Sequence, residues 1–310
     1  MSKTVIVLDS SRIKTYLECP EKYNISYRQH RRKTWINPQW KKDYSGQGTY
    51  VHALLETYYN LRALNPSMNS LQHGTAALNL FQSLKLAPKM KLPPEFETLV
   101  NVRFTQYTIK NSLGDYQPLV HNGVPAHEVR FSIKLYEDEN VIFILEGRID
   151  LLCRVGVPAY GTVKAFIDHK TQERTSEMYE FTPQTLSYAL ATGFNYGGFN
   201  YFGLQQKYDE KTTLHRDFFY IPDWKIKQWK AYIIKEVYWP VANRIIQEAK
   251  YGESQADSFI WPQRWLTCAG PDLKRACDFS EICNAPTSEL RELIKRQFTH
   301  IVPAWSPWND

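Results

Sequence analysis

"AFIDHKTQ", residues 165 to 172, is an apolar run that turns polar at its end. Read as a strand, it sends Val163, Ala165, Ile167 and His169 to one face and Phe166, Asp168 and Lys170 to the other. At about 3.3 Å of rise per residue, Asp168 and Lys170 then stand roughly 7 Å apart along one face of a rigid element. Taken alone, a D-x-K is most simply a strand end with an ordinary ion pair. The neighbouring segments change that reading. "HEVRFSIKLY" (127–136) and "VIFILEGRIDLLCRV" (141–155) also have the pattern of strands, and a Gly/Pro turn region separates the second from the D-x-K strand. In "EGRIDLL" the alternation puts Glu146, Arg148 and Asp150 opposite Leu145, Ile149 and Leu151. Asp150 and Asp168, on successive strands with Lys170 beside them, make an oxygen-rich pocket for a hard divalent cation such as Mg²⁺ or Mn²⁺. A cation there could polarise a scissile phosphate while Lys170 orients water or meets developing negative charge, so the chemistry expected is phosphodiester hydrolysis.

Helical patterns flank these strands. "SSRIKTYLECPEKYNISY" opens on serine N-cap candidates, and Pro20 is expected to break the helix just after Cys19. "GQGTYVHALLETYYNLRAL" (46–64) spaces Val51, Leu54, Leu55 and Tyr58 as one helical face, with His52 one position off it. Residues 65 to 125 read as mostly helical or irregular, with a proline-punctuated basic loop in "KLAPKMKLPP". "TPQTLSYALATGFNY" predicts a helix with Thr182 as N-cap and Pro183 at its first position. "FFYIP" is a further strand candidate, and residues 223 to 250 predict a long amphipathic helix kinked at Pro240. Helices, then strands, then helices imply an α/β fold with a small central mixed β-sheet flanked by helices.

The composition is that of an ordinary globular protein, 43% hydrophobic and 23% charged, and 310 residues supply ample core. No apolar run approaches the roughly 18 residues that span a bilayer, and "TVIVL" is too short for the apolar region of a signal peptide. The expectation is an intracellular, cytoplasmic protein with no membrane partner. A formal charge of +6 permits a polyanionic partner. In "YRQHRRKTWINPQWKK" (27–42) basic residues surround Trp35, a pattern that suits phosphates with stacked bases and equally a solvated loop.

Four motifs in order resemble the PD-(D/E)XK nuclease superfamily, and within it the RecB-like branch: "GTYVH" ending in His52, "GRID" ending in Asp150, "DHK" from Asp168 to Lys170, and "QTLSY" from Gln184 to Tyr188. The resemblance implies a restriction-endonuclease-like core over about residues 46 to 190. It implies metal ligation by His52, Asp150, Asp168 and the His169 carbonyl, with Lys170 as catalytic lysine and Gln184 and Tyr188 as organisers of the site or substrate. Glu128 in "HEVRF" matches an acidic position on the first strand of that core. The expected organisation is one nuclease domain over 1–310. It includes a helical insertion over about 65–125 and a C-terminal region, about 222–310, that packs with the Cys19 segment.

Five cysteines without a secretion signal argue against a disulfide framework. Cys153 points with apolar residues and is expected to be a core thiol. Cys19, Cys268, Cys277 and Cys283 could meet if the two termini pack together, and four thiolates suit a 4Fe-4S cluster or a structural zinc. One cysteine before the core and three after it resembles the iron–sulfur exonucleases of the AddB and CRISPR-associated type. Here eight residues separate Cys268 from Cys277 where those families have two. Such a staple would close a loop of roughly 250 residues. No G-x-x-x-x-G-K-[ST] phosphate loop occurs, so no helicase motor is expected within these residues. The implied function is a stand-alone, metal-dependent DNA exonuclease of recombination, repair or related DNA processing, resembling enzymes encoded by phages and plasmids. Its substrate is expected to be single-stranded or to have free ends, and recombination or helicase proteins are candidate partners. The alternatives are a structure-specific endonuclease and a non-catalytic nucleic-acid-binding subunit.

Overall fold

Alternation of buried and half-buried residues runs unbroken from Val141 to Cys153, so the longest strand of the molecule is a period-2 element with one face in the core. The computed structural model describes residues 3–32, 44–85, 93–111, 115–157, 160–172, 180–204, 213–251, 277–283, 285, 287–297 and 299–300. In chain order the strands are β1 (Thr4–Leu8), β2 (Arg31–Arg32), β3 (Gln117–Pro118), β4 (Val120–His121), β5 (Val124–Pro125), β6 (His127–Glu137), β7 (Val141–Val157), β8 (Gly161–Gln172), β9 (Tyr196–Gly203), β10 (Leu214–Tyr220) and β11 (Thr299–His300). The helices are α1 (Ser10–Glu18), α2 (Pro20–Tyr23), α3 (Tyr44–Leu64), α4 (Ser70–Ser83), α5 (Pro94–Lys110), α6 (Pro183–Thr192), α7 (Asp223–Ile233), α8 (Trp239–Tyr251), α9 (Ser280–Cys283) and α10 (Ser288–Gln297). The fold is mixed α/β. It divides into two compact units, one of Met1–Trp40, Ser132–Gly147 and Lys227–Asp310, the other of Lys41–Phe131 and Arg148–Ile226.

In the second unit, β7 runs antiparallel to β8 from Val157 opposite Gly161 up to Leu151 opposite Ile167. β8 is parallel to β9 from Ala165–Tyr196 to Gln172–Gly203, and β9 is antiparallel to β10. The sheet is therefore mixed, in the order β7-β8-β9-β10, with β3 also on β7. One face is covered by α3, whose Val51, Leu54, Leu55, Tyr58 and Tyr59 join Leu151, Cys153, Ala165 and Ile167 in a single apolar cluster with α4 and α5. Cys153 is buried there as the sequence implied. Helix α6 begins as expected: Thr182 caps it, accepting the N–H of Thr185, with Pro183 in its first turn. It ends on Gly193 at φ +68°, the left-handed conformation that stops helices at small cost only in glycine.

In the first unit, β1 pairs in parallel with Val141–Leu145 of β7, and Phe143 packs between Tyr136, Tyr238 and Trp239. The cap of α1 is Asp9, which accepts the N–H of Arg12 at 2.8 Å, and not a serine. Asp is as good a cap as Ser, and here the two serines enter the first turn instead. Pro20 does divide the chain after Cys19, ending α1 and starting α2. The long helix at 223–250 is broken before its proline, by a π-helical turn over Ile234–Tyr238 between α7 and α8. Pro240 lacks an N–H and its ring crowds the carbonyl four residues back, and widening the preceding turn accommodates both defects.

Candidate active site

The antiparallel ladder of β7 and β8 stops at Leu151–Ile167, one residue short of Asp150 and Asp168, while β8 continues along β9. Beyond the fork the His169 N–H is met by a side chain of β7: Asp150 Oδ2 accepts it at 2.7 Å. In a strand the N–H and C=O of one residue point to the same side. The His52 ring, which also hydrogen-bonds the His169 backbone, therefore meets its carbonyl. His52 Nδ1 lies 3.7 Å from Asp150 Oδ2 and 4.0 Å from Glu128 Oε1. Ligand atoms of His52, Glu128 and Asp150 all lie within 4.8 Å of one another, a grouping able to hold a metal ion.

Two backbone features bring these groups together. Gly48 places α3 so close to β8 that a Cβ would stand 3.1 Å from Thr171 Oγ1, which gives the glycine of "GTYVH" a physical reason. Glu128 occupies the left-handed region at φ +47°, a costly conformation for a side-chain-bearing residue within a strand. There its carboxylate faces His52 and pairs with Arg148 Nε at 2.6 Å.

Asp168 stands outside the trio. Its Oδ2 is 2.5 Å from Lys170 Nζ, and its Oδ1 accepts from Gln184 Nε2 at 3.1 Å. Gln184 joins the whole edge: its Oε1 accepts from Lys170 at 3.1 Å, and its Nε2 also donates to Tyr188 OH at 2.8 Å. The amide offers a donor and an acceptor on one planar group, whereas an ionised glutamate offers acceptors alone. Gln184 and Tyr188 share a helix face at i, i+4, as expected.

The carboxylates of this edge crowd one another, although Arg148 pairs with Glu128 and Lys170 with Asp168. Burial, and after it the carboxylates of Asp168 and Glu128, push the Asp150 carboxyl well above its usual range against the opposing His169 N–H. Burial likewise raises Glu128, lowers His52, and lifts the Tyr188 phenol well above its ordinary value, the last reinforced by Asp168 and Asp150. Carboxylates this close repel unless a cation is shared between them. The donor set of one imidazole and several carboxylate oxygens fits Mg²⁺ or Mn²⁺.

The profile of the PD-(D/E)XK nuclease superfamily matches residues 10–284. The chain belongs to that superfamily. As a member it is a metal-dependent nuclease, hydrolysing phosphodiester bonds and binding nucleic acid, and its mixed sheet flanked by helices is consistent with a restriction-endonuclease-like core. No curated protein matches the sequence. Among solved structures, the crystal structure of SSO0001 is similar at 9% identity and a TM-score of 0.25, over 63% of this chain and 87% of that one. That likeness is too slight to carry an argument.

All eight residues nominated for the site, His52, Glu128, Asp150, Asp168, His169, Lys170, Gln184 and Tyr188, lie in the second unit and are linked by the contacts above. Sequence reasoning missed the use of Arg148, although it stands on the Asp150 face of its strand. It also missed the His169 ring, nominated for its carbonyl alone. Of the nominated cysteines, Cys268 lies outside the described residues. The others belong to the first unit. Cys19 is buried at the start of α2 in the neighbourhood of Cys277, and Cys277 and Cys283 pack on a cluster of Ile25, Phe279 and Ile282. Glu21 and Arg291 form an ion pair that also ties the α2 segment to α10. Residues 33–42 of the basic stretch and 86–92 of the proline loop lie outside the described residues. No described helix is long and apolar enough to cross a membrane.

Proposed function

We propose that the protein is a DNA exonuclease whose catalytic edge is the fork between β7 and β8. The observation that carries the reading is the meeting of His52, Glu128 and Asp150 beside the Lys170–Gln184–Asp168 chain. His52, Asp150, Asp168, Glu128 and the His169 carbonyl would hold a Mg²⁺ or Mn²⁺ ion. Such an ion, when bound, supplies Lewis acidity at the phosphate and lowers the pKa of a coordinated water. Lys170 is the group beside it that meets negative charge developing on oxygen. Gln184 fixes the lysine ammonium through Oε1 and Asp168 through Nε2, so neither rotates away. Buried Tyr188 in turn fixes the Gln184 amide.

Preference for DNA ends rests on the resemblance to RecB-like exonucleases. Purified protein with Mn²⁺ should degrade linear labelled DNA and spare closed circles, and substrates blocked at the 5′ or the 3′ end should reveal polarity. Rapid cutting of circles would instead favour the endonuclease, and binding without any cleavage the non-catalytic subunit.

The same reading assigns Cys19, Cys268, Cys277 and Cys283 to a 4Fe-4S cluster outside the catalytic edge. Support comes from the neighbouring Cys19 and Cys277 and from Cys283 in the same apolar cluster. Burial, followed by the nearby Cys19, raises the Cys277 thiol, which a bound metal would reverse by demanding thiolates. Anaerobically purified protein should be brown, with iron and sulfide in near-equal amounts. One zinc per colourless chain would replace the cluster by a zinc staple.

A further inference from the structure

Beneath the catalytic edge lies a second polar cluster to which the nuclease reading gives no role. Asp115 Oδ1 accepts from Arg216 Nη2 at 2.6 Å, from the Tyr116 N–H at 2.8 Å and from Tyr59 OH at 3.1 Å, and its Oδ2 accepts from Tyr58 OH at 2.5 Å. The Arg216 guanidinium covers the Tyr116 ring at 3.9 Å and donates to Tyr107 OH at 2.6 Å. From there one branch leads back to the site. Arg216 Nε donates to Asn200 Oδ1 at 3.4 Å, and Asn200 Nδ2 lies 2.9 Å from His169 Nδ1. Asn200 is fully buried. The His169 ring lies nearly parallel to Tyr59, 7° between planes at 5.8 Å, and edge-on to His52 at 5.9 Å.

The donor and acceptor roles along this chain are forced. Arginine only donates, so it must meet the oxygen of Asn200, and the Asn200 nitrogen is left to donate to His169. His169 Nδ1 must therefore accept, which puts the ring proton on Nε2. Asp115 anchors the other end by taking up the charge of Arg216. A buried ion pair is a poor device for stability alone, since well-packed apolar residues usually serve as well or better. What this one does that apolar packing cannot is fix one ring in one tautomer and one orientation. That ring belongs to the residue whose N–H holds Asp150 and whose carbonyl meets His52.

We propose that Asp115, Arg216 and Asn200 are positioning residues which, acting through the His169 imidazole, hold the His169 peptide against Asp150 and His52 and so set the affinity of the metal site. The proposal rests on the reading of His52, Glu128 and Asp150 as metal ligands. It makes the His169 side chain, and not its carbonyl alone, part of the outer support of the site.

The test uses the full chain without DNA. Mn²⁺ binding is measured by calorimetry, folding by circular dichroism, and the ring proton of His169 by ¹⁵N imidazole shifts. In the wild type the proton should sit on Nε2. Asn200→Asp turns the donor into an acceptor and should move the proton to Nδ1. His169→Phe keeps a ring beside Tyr59 but loses the link to Asn200. Each should weaken Mn²⁺ by about 10- to 100-fold, the usual cost of lost outer support. His73→Phe removes another buried imidazole, one in α4 that bonds the Asn65 carbonyl just after α3. It should lower stability and leave Mn²⁺ affinity unchanged. A wild-type proton on Nδ1 overturns the proposal whether or not the variants fold. Wild-type Mn²⁺ affinity in a folded Asn200→Asp or His169→Phe overturns it and leaves the metal site standing. A wild type that takes up no Mn²⁺ overturns both.

Discussion

Asp115 is a buried carboxylate and Asp150 a largely buried one of the same unit, and they live in opposite surroundings. Four donors converge on Asp115, one of them a charged guanidinium. Asp150 has the His169 N–H as its hydrogen-bond donor and faces the charges of Asp168 and Glu128. The first is satisfied by the protein itself; the second is crowded by carboxylates whose repulsion a bound cation would relieve. Burial of charge without compensation is expensive, so a fold keeps it only where a cation or a reaction uses it.

The largest effect expected from breaking this contrast is on catalysis. Asp150→Asn and Asp168→Ala should each reduce cleavage by about a thousandfold or more, because the proposed reading makes each a metal ligand beside the reacting oxygens. Affinity for DNA measured by fluorescence anisotropy in Ca²⁺ should stay close to wild type, since phosphate contacts elsewhere dominate it. Near-normal cleavage by Asp168→Ala would remove that residue from the site.

Stability should divide the two aspartates in the reverse sense. Asp115→Asn strands the largely buried Arg216 charge and should cost about 3 kcal/mol in urea melts. Asp150→Asn retains an oxygen for the His169 N–H and relieves repulsion, so the metal-free protein should be at least as stable as wild type at neutral pH.

The pH dependence sharpens the same point. A carboxyl whose folded pKa is raised binds more protons folded than unfolded, so its contribution to stability falls as pH rises from the unfolded value near 3.9 through the raised folded one. The lowered His52 and His169 act oppositely and penalise the fold as pH drops below about 6.5. Subtracting the Asp150→Asn stability profile from that of the metal-free wild type isolates Asp150. The difference should fall with rising pH, and Mn²⁺ should restore it. A flat difference would mean that Asp150 is not held out of its normal range.

The smallest effect concerns Gly48. Alanine there favours the helix by about 1 kcal/mol but presses on Thr171 Oγ1, so overall stability should change little. Cleavage should fall several-fold as α3 and His52 shift, and Thr171→Ala should recover part of the loss. Full activity in Gly48→Ala would show that the close approach is not needed.

The local sequence determined a good deal of this molecule. Strict alternation made β7 legible as a half-buried strand, Thr182-Pro183 marked the start of α6, and four spaced motifs singled out residues that come together at the β7–β8 fork. These signals are readable because period, caps and motif spacing are properties of neighbouring residues. Other features depended on distant parts of the chain. Asp9 took the cap of α1 in place of either serine, and the strain of Pro240 was relieved a turn earlier, because competing local solutions of similar energy are chosen by packing. The stop of the β7–β8 ladder at Leu151, the left-handed turn at Glu128 and the chain from Asp115 to His169 were decided by tertiary structure alone. Asp115 and Arg216 are 101 residues apart, and no local pattern marks a pair whose partnership exists only once α3 and α5 have closed over the sheet.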